Sequence, residues 1–242
     1  MHVLQIEGLN KSFGGLRAIH DLNLAVGEGE IVGIIGPNGS GKTTALNLIT
    51  GFLKPDSGKV TLRGEDITGI PRHRVSAKGI ARTFQLVKPF LDATALENVM
   101  VGRAYGHRPA RDLPTAEAES MEMLDKVGLA DKAQVPAKSL TVMQRKRLEL
   151  ARALAARPYL LLLDELMAGL NPHEADEGCG LVQQIHDSGV TIIVVEHIVK
   201  AICGLSDRVV VLNMGEKIAE GPPDTVVHDP NVVDVYLGKA HA

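Results

Sequence analysis

The spacing of hydrophobic positions changes three times along this chain. Across residues 16–26, Leu22, Leu24 and Val26 alternate with polar neighbours, the period of a strand with one wet face, and residues 3–6 and 59–63 have the same texture. Ile31–Ile35 and Thr191–Val195, with residues 160–163 and 209–212, are almost wholly apolar, as strands covered on both faces are. Residues 80–84 read as a further strand. Residues 43–49 have helical spacing, and a helical stretch separates 160–163 from 191–195, which predicts parallel βαβ units. The alternating segments surround the strand at 31–35, so a small antiparallel sheet is expected to pack beside it.

From about residue 93 to 138 helix signals take over. Thr94 followed by Glu97 predicts a capping box, and residues 116–127 carry Met121, Leu124 and Val127 on one face before Gly128 stops them. The intervening stretch 102–114, with Arg103, His107, Arg108 and Arg111, reads as a solvated linker. Thr141 and Gln144 form a second capping box, opening a helix whose apolar residues Leu148, Leu150, Ala151 and Leu154 run to Ala156 before Pro158. Its first turn holds Arg145, Lys146 and Arg147, cations that oppose the helix dipole and so call for counter-charges or solvent. A short helix over 231–237 follows Gly221, Pro222 and Pro223. The expected organisation is one domain over 1–242. Its core comprises 1–92 and 157–242 with an antiparallel β lobe, and a helical subdomain over 93–156 is inserted in it.

The densest chemistry lies between Gly36 and Thr43, where Gly36, Pro37, Asn38, Gly39, Ser40, Gly41, Lys42 and Thr43 fill every fixed position of the phosphate-loop pattern GxxxxGK[ST]. A strand before it and a helix after it supply the required context. Glycines let backbone N–H groups converge on an anion at the positive end of the new helix. Lys42 is the candidate for the β- and γ-phosphates and Thr43 for Mg²⁺, with Thr44 next to them. Four leucines then run into Asp164 and Glu165, placing two acids at the carboxyl end of a buried strand, the edge where such sheets bind ligands. Asp164 suits Mg²⁺, and Glu165 suits polarisation of a water for attack on the γ-phosphate. His197, after the strand at 190–196, is expected at the same edge as a γ-phosphate contact. Gln85, after residues 80–84, is a candidate to ligate Mg²⁺ or orient water.

Composition narrows this picture without changing it. With 242 residues, 45% of them hydrophobic, and a formal net charge of −3, the chain is globular and lacks the basic balance of a nucleic-acid binder. Cys179 and Cys203 make no disulfide framework and are expected as buried, reduced thiols, which fits the cytosol. Residues 1–20 lack the apolar core of a secretory signal, and no apolar run is long enough to span a bilayer, so membrane association is expected through a partner.

In this order, the phosphate loop, Gln85, the helix-start motif at Leu140–Gln144, Asp164, Glu165 and His197 resemble the nucleotide-binding subunit of ATP-binding-cassette transporters over nearly the whole chain. The resemblance implies an α/β phosphate-loop NTPase of that type: a mostly parallel sheet core, an antiparallel β subdomain and an inserted helical subdomain. It implies ATP and Mg²⁺ as ligands, with Glu165 as catalytic glutamate, His197 as switch histidine, Gln85 as Q-loop glutamine and Asp164 as metal partner. Phe13 matches the position that stacks on adenine, although as a residue it suits a core equally. Thr141 and Gln144 match the signature helix, and Asn171 lies in the segment resembling the D-loop, where it also suits an N-cap before Pro172 and Glu174. Two departures stand out: Val142 and Met143 replace both glycines of the signature LSGGQ, and Leu166 replaces a proline. Residues 13–16, 82–85, 168–172 and 236–238 are similar to the ATPase subunits of branched-chain amino-acid importers. The expected role is therefore ATP-driven import of branched-chain amino acids or a related small polar solute. The rivals are a lipopolysaccharide-type exporter ATPase and a soluble cassette acting on ribosomes or DNA. The expected partners are a second cassette, identical or related, membrane permease subunits and, indirectly, a solute-binding protein, with no nucleic acid. The expected place is the cytoplasmic face of the inner membrane.

Overall fold

The computed structural model describes residues 1–84, 88–196 and 199–237. The chain opens on two long strands, β1 (His2–Phe13) and β2 (Leu16–Gly27), followed by the buried β3 (Ile31–Ile35) and helix α1 (Lys42–Ile49). Next come β4 (Ser57–Leu62), the two-residue β5 (Glu65–Asp66), α2 (Arg72–Ala77) and β6 (Ile80–Arg82). Three helices follow: α3 (Ala95–Tyr105), α4 (Leu113–Lys126) and α5 (Val142–Ala155). The chain then re-enters the sheet with β7 (Leu160–Asp164), α6 (Pro172–Asp187), β8 (Thr191–Val195), α7 (Val199–Leu205) and β9 (Arg208–Asn213). It closes on β10 (Glu216–Gly221), α8 (Pro223–Val226) and α9 (Pro230–Leu237).

The strands form two sheets, an antiparallel one in the order β2-β1-β4-β5 and a six-stranded one in the order β10-β9-β3-β8-β7-β6. In the second, β6, β7, β8, β3 and β9 are parallel, and β10 alone is antiparallel. Side chains on a strand alternate between faces, and both faces are buried here. Ile31, Ile35, Leu161, Leu163, Ile192, Val194, Val209 and Val211 pack with apolar residues of α3 to α6 in one cluster. Val32, Ile34, Leu160, Leu162, Ile193, Val195, Val210 and Leu212 pack with β1, β2, β4 and α1 in the other. That double cover is why these strands are continuous apolar runs, whereas β2 reads as an alternation with one wet face.

Local signals set most of the helix boundaries. Both capping boxes form, at Thr94–Glu97 and at Thr141–Gln144, and a third joins Asn171 to Glu174 ahead of Pro172. The solvated linker expected over 102–114 is a correction. Residues 102–105 belong to α3, Asp112 caps α4 with Pro in its first turn, and only 106–112 connect the two. Arg103, expected in solvent, is buried and pairs with Glu119, donating also to the carbonyl of Arg108. A capped helix N-terminus upstream of the apolar stripe was the overlooked signal. The strand expected over 80–84 is shorter, ending at Arg82, and the hairpin strand β10 was not anticipated. Its turn, Met214–Gly215, has positive φ at both positions (47° and 85°), the geometry of a tight two-residue hairpin loop. The two cysteines are free and half-buried, not buried; burial raises both thiols above their usual range.

Candidate nucleotide site

Strand β3 delivers the chain into the glycine-rich loop, and α1 begins at Lys42 with Gly41 as its N-cap. Two glycines there are required by space as well as by backbone angle. At Gly36 (φ 154°) a Cβ would lie 2.1 Å from the Leu212 carbonyl oxygen, and at Gly41 (φ 106°) 2.6 Å from that of Ala18. The loop is therefore wedged against β9 and β2. Pro37 is half-buried, and Asn38 and Gly39 form the exposed rim. Lys42 is buried, and its ammonium donates to the carbonyls of Gly36 (2.7 Å) and Pro37 (3.0 Å). Ser40 Oγ is buried with no hydrogen-bond partner. Thr43 is exposed and Thr44 half-buried, on the first turn of α1.

The acid pair reaches the same edge of the sheet. Asp164 and Ile34 both sit level with Val195 of the strand between them, so the ends of β3 and β7 are in step. Burial lowers the pKa of the Lys42 ammonium, and the negative charges of Glu165 and then Asp164 pull it back up, so both carboxylates lie within electrostatic reach of the lysine. Asp164 is buried, and its Oδ2 accepts a 2.6 Å hydrogen bond from Arg82. Glu165 has a left-handed backbone (φ 52°), with its N–H held by the Val195 carbonyl at 2.9 Å. A non-glycine residue in that region costs on the order of 1 kcal/mol and persists where surrounding contacts over-determine it.

The donor set fits a triphosphate with Mg²⁺. The loop leaves no room for a Cβ at Gly36 or Gly41 and open space at Gly39 on its rim, it holds an unpartnered hydroxyl at Ser40, and its lysine is turned onto its own carbonyls. The Thr43 hydroxyl and the Asp164 carboxylate are hard oxygen donors of the kind Mg²⁺ takes, and phosphate and water oxygens would complete its shell.

Elsewhere the candidates divide. Phe13 ends β1 and is 47% exposed, so it is a surface ring and not a core residue, with Lys11 Nζ 5.5 Å from its centroid. Thr141 and Gln144 stand at the start of α5 and satisfy each other's backbone, while Val142 is exposed at the first helical position. Asn171 caps α6 as expected. The first-turn cations of α5 are compensated one by one. Arg145 donates to the carbonyls of Ala137 and Lys138, Lys146 to those of Leu166 and Ala168, and Arg147 pairs with Glu177. Gln85 and His197 lie outside the described residues.

Four charged or polar side chains escaped the reading of the sequence. Arg82 links Asp164 to Asn47 Oδ1 of α1 (2.7 Å) and lies against the rings of Phe52 and Phe84. Glu149, buried on α5, accepts the Phe84 N–H at 3.2 Å, and burial pushes its carboxyl up to about 7 against the opposing pull of Arg152. Glu196 accepts the Met167 N–H at 2.7 Å. Tyr236 on α9 has its phenol pushed up by burial and opposed by a hydrogen bond with the Gly36 backbone, which brings the tail against the phosphate loop. Glu149 breaks the otherwise apolar face Leu148–Leu150–Ala151, a polar residue at a core position, and was the one detectable signal of the four.

A family model described as ABC transporter matches residues 19–168, and one described as branched-chain amino acid ATP-binding cassette transporter matches residues 216–242. The chain is 40% identical over 252 aligned residues, covering 98% of each, to the high-affinity branched-chain amino acid transport ATP-binding protein BraF of Pseudomonas aeruginosa. It is 37% identical, with 98% of each covered, to the corresponding LivG of Escherichia coli. Among solved structures it is similar to the ADP conformation of MJ1267, an ATP-binding cassette of an ABC transporter. There the TM-score is 0.90 at 33% identity, covering 99% of this chain and 100% of that one. It is also similar to the dimeric cassette MJ0796, with a TM-score of 0.82 at 27% identity, covering 91% of this chain and 98% of that one.

Proposed function

The chain belongs to the ATP-binding cassettes of ABC transporters, and from that premise we propose that it binds and hydrolyses ATP to energise import of branched-chain amino acids. One observation carries the catalytic reading: Lys42 on the phosphate loop and the Asp164–Glu165 pair at the end of β7 share one electrostatic neighbourhood at one sheet edge.

Each residue then has a task. On nucleotide binding, Lys42 exchanges two carbonyl partners for phosphate oxygens, a stronger charge-assisted contact, while the N–H groups from Gly36 to Gly41 and the Ser40 hydroxyl close around the anion. Thr43 and Asp164 would hold Mg²⁺, which when bound would supply positive charge to offset that of the phosphates. Arg82 holds one oxygen, Oδ2, of the Asp164 carboxylate in place. Glu165 accepts the proton of the attacking water, aligned for displacement at the γ-phosphate. By the family resemblance, Gln85 orients this water, His197 stabilises charge on the γ-phosphate and Phe13 stacks on adenine.

The dimeric MJ0796 cassette supports pairing of two such subunits. By the family resemblance, Thr141, Gln144 and Asn171 of each would face the nucleotide of the other. Among the described residues no helix is long and apolar enough to cross a membrane. In this reading separate permease subunits carry the solute and the chain docks on them at the cytoplasmic face. A groove of about 340 Å³, lined by Phe52, Arg72, Phe84, Tyr105, Glu149 and Arg152, lies between α2, α3 and α5 and suits a helix of such a subunit. A solute-binding protein would deliver the amino acid. The names of BraF and LivG support this substrate class.

The decisive experiment reconstitutes the chain with its permease subunits in vesicles and follows ATP-dependent uptake of leucine, isoleucine and valine. Glu165→Gln should keep ATP affinity and lose at least about a hundredfold in turnover and uptake. Normal turnover in that variant would overturn the base, and turnover without uptake of any of the three would overturn the substrate.

A further inference from the structure

The loop that follows Glu165 is gripped from two sides by buried charges. The Lys146 ammonium on α5 donates to the carbonyls of Leu166 (2.7 Å) and Ala168 (2.6 Å), while Glu196, at the end of β8, accepts the N–H of Met167 between them (2.7 Å). Lys146 is 7% exposed and Glu196 2%. Met167 is itself buried, and its sulfur fills a notch on α6 at Gly178, where a Cβ would come within 2.6 Å. The Glu165 carbonyl accepts the Ala168 N–H at 3.2 Å. Residues 165 to 168 are thus tied to α5, α6 and β8 at once, immediately after the left-handed turn that aims Glu165.

We propose that Lys146 is a positioning residue for hydrolysis, a strut through which the orientation of α5 sets the position of Glu165. A desolvated ammonium shared by two carbonyls of one loop is a short, charge-assisted link, and moving the helix without moving the loop would leave both the charge and the carbonyls unsatisfied. Thr141 and Val142, at the exposed start of the same helix, lie only about 6 to 8 Å along the axis from Lys146, at 1.5 Å per residue. A shift of α5 imposed at its N-terminus by a second subunit's nucleotide therefore reaches Leu166 and Ala168 directly. This gives a physical route for the contact at Val142 and Met143 to act on the hydrolytic residue of its own subunit, even though the signature glycines are missing. Burial lowers the pKa of the Lys146 ammonium, and the charges of Glu196, then Glu149 and Glu165, pull it part of the way back.

The inference rests on Glu165 as general base, and its test has one arm that does not. In the full chain, Lys146→Met should raise amide exchange at Met167, Ala168 and Leu170 at least about tenfold. ATP affinity should stay within about twofold, and kcat should fall about tenfold or more with KM unchanged, the pattern of lost transition-state alignment. Lys146→Arg, which retains donors for both carbonyls, should recover most of the exchange protection and turnover. Should the Met variant unfold, Lys146→Gln, with donors for one carbonyl, carries the same comparison. Unchanged exchange in the Met variant, unchanged kcat despite faster exchange, or an Arg variant no better than Met would each overturn the strut. A wild-type chain that hydrolyses nothing with its partners would instead overturn the base, and the exchange measurements would still decide the strut.

Discussion

Three single residues show how much of this site is decided by local electrostatics. Lys42 is legible in the sequence because the motif fixes its role, and Lys42→Ala should weaken Mg-ATP binding by roughly tenfold to a hundredfold in calorimetry, through loss of a charge-assisted phosphate contact. Arg82 is not legible, since nothing in its neighbours marks it as the partner of a residue eighty-two positions away. Both members of the Arg82–Asp164 pair are buried, and removing one leaves the other charge uncompensated. Arg82→Met is expected to lower the unfolding free energy by about 3 kcal/mol in urea titrations, and the replacement of both residues by apolar ones should restore much of it. Glu149 sets a pH dependence. Its folded pKa, about 7, lies above the ordinary 4.5, so the folded state holds more protons across that window. The contribution to stability is therefore unaffected below pH 4.5, falls as pH rises toward 7, and levels off above it, by up to about 3 kcal/mol. Glu149→Gln should flatten this slope and be the more stable variant at pH 8, as urea midpoints between pH 5 and 8 would show.

At the scale of elements, the termini rather than the interiors carry the information. The capping boxes at Thr94, Thr141 and Asn171 are local, since a side chain three residues away completes each; the first two are legible as boxes in the sequence, and the third as an N-cap. Thr141→Ala should cost about 1 kcal/mol and fray the first turn of α5, measurable as a lower melting temperature and faster exchange at residues 143–145. Arg103 shows the opposite case. It looks like one of three arginines on a linker, yet α3 continues through it and buries it against Glu119 of α4. The phosphate loop joins the two cases. Its sequence announces a tight turn, but only the packing of Gly36 on Leu212 shows that the turn is also a joint between β3 and β9. Gly36→Ala is expected to abolish Mg-ATP binding and to destabilise the sheet edge, because its Cβ would meet backbone that has nowhere to move.

Across the whole molecule, one six-stranded sheet carries two buried faces, with the antiparallel lobe and α1 on one and the helical insert with α6 on the other. Helix α1, which the phosphate loop opens, packs on the face shared with the antiparallel lobe, and the signature-like helix α5 packs on the opposite face, while Asp164 ends a strand buried between them. Closing two such cassettes on ATP should be strongest when hydrolysis is blocked. Glu165→Gln with Mg-ATP is expected to shift the chain from monomer to dimer in size-exclusion chromatography, and ADP should not do so. A dimer independent of nucleotide would contradict closure driven by the γ-phosphate.

The class of sheet, the position of the phosphate loop, the acid pair and the helix caps are all legible in the linear order of residues. All of these rest on periodicity, backbone requirement or contacts between near neighbours, which a linear pattern can record. Packing brings out the rest: Arg82 supports Asp164, Glu149 sits in a site that disfavours its charge, Lys146 and Glu196 hold the loop after Glu165, and Tyr236 leans on Gly36. Each of those depends on a charge or polar group losing its water beside a partner far away in the chain, and desolvation is a property of the packed neighbourhood, not of the residues that flank it.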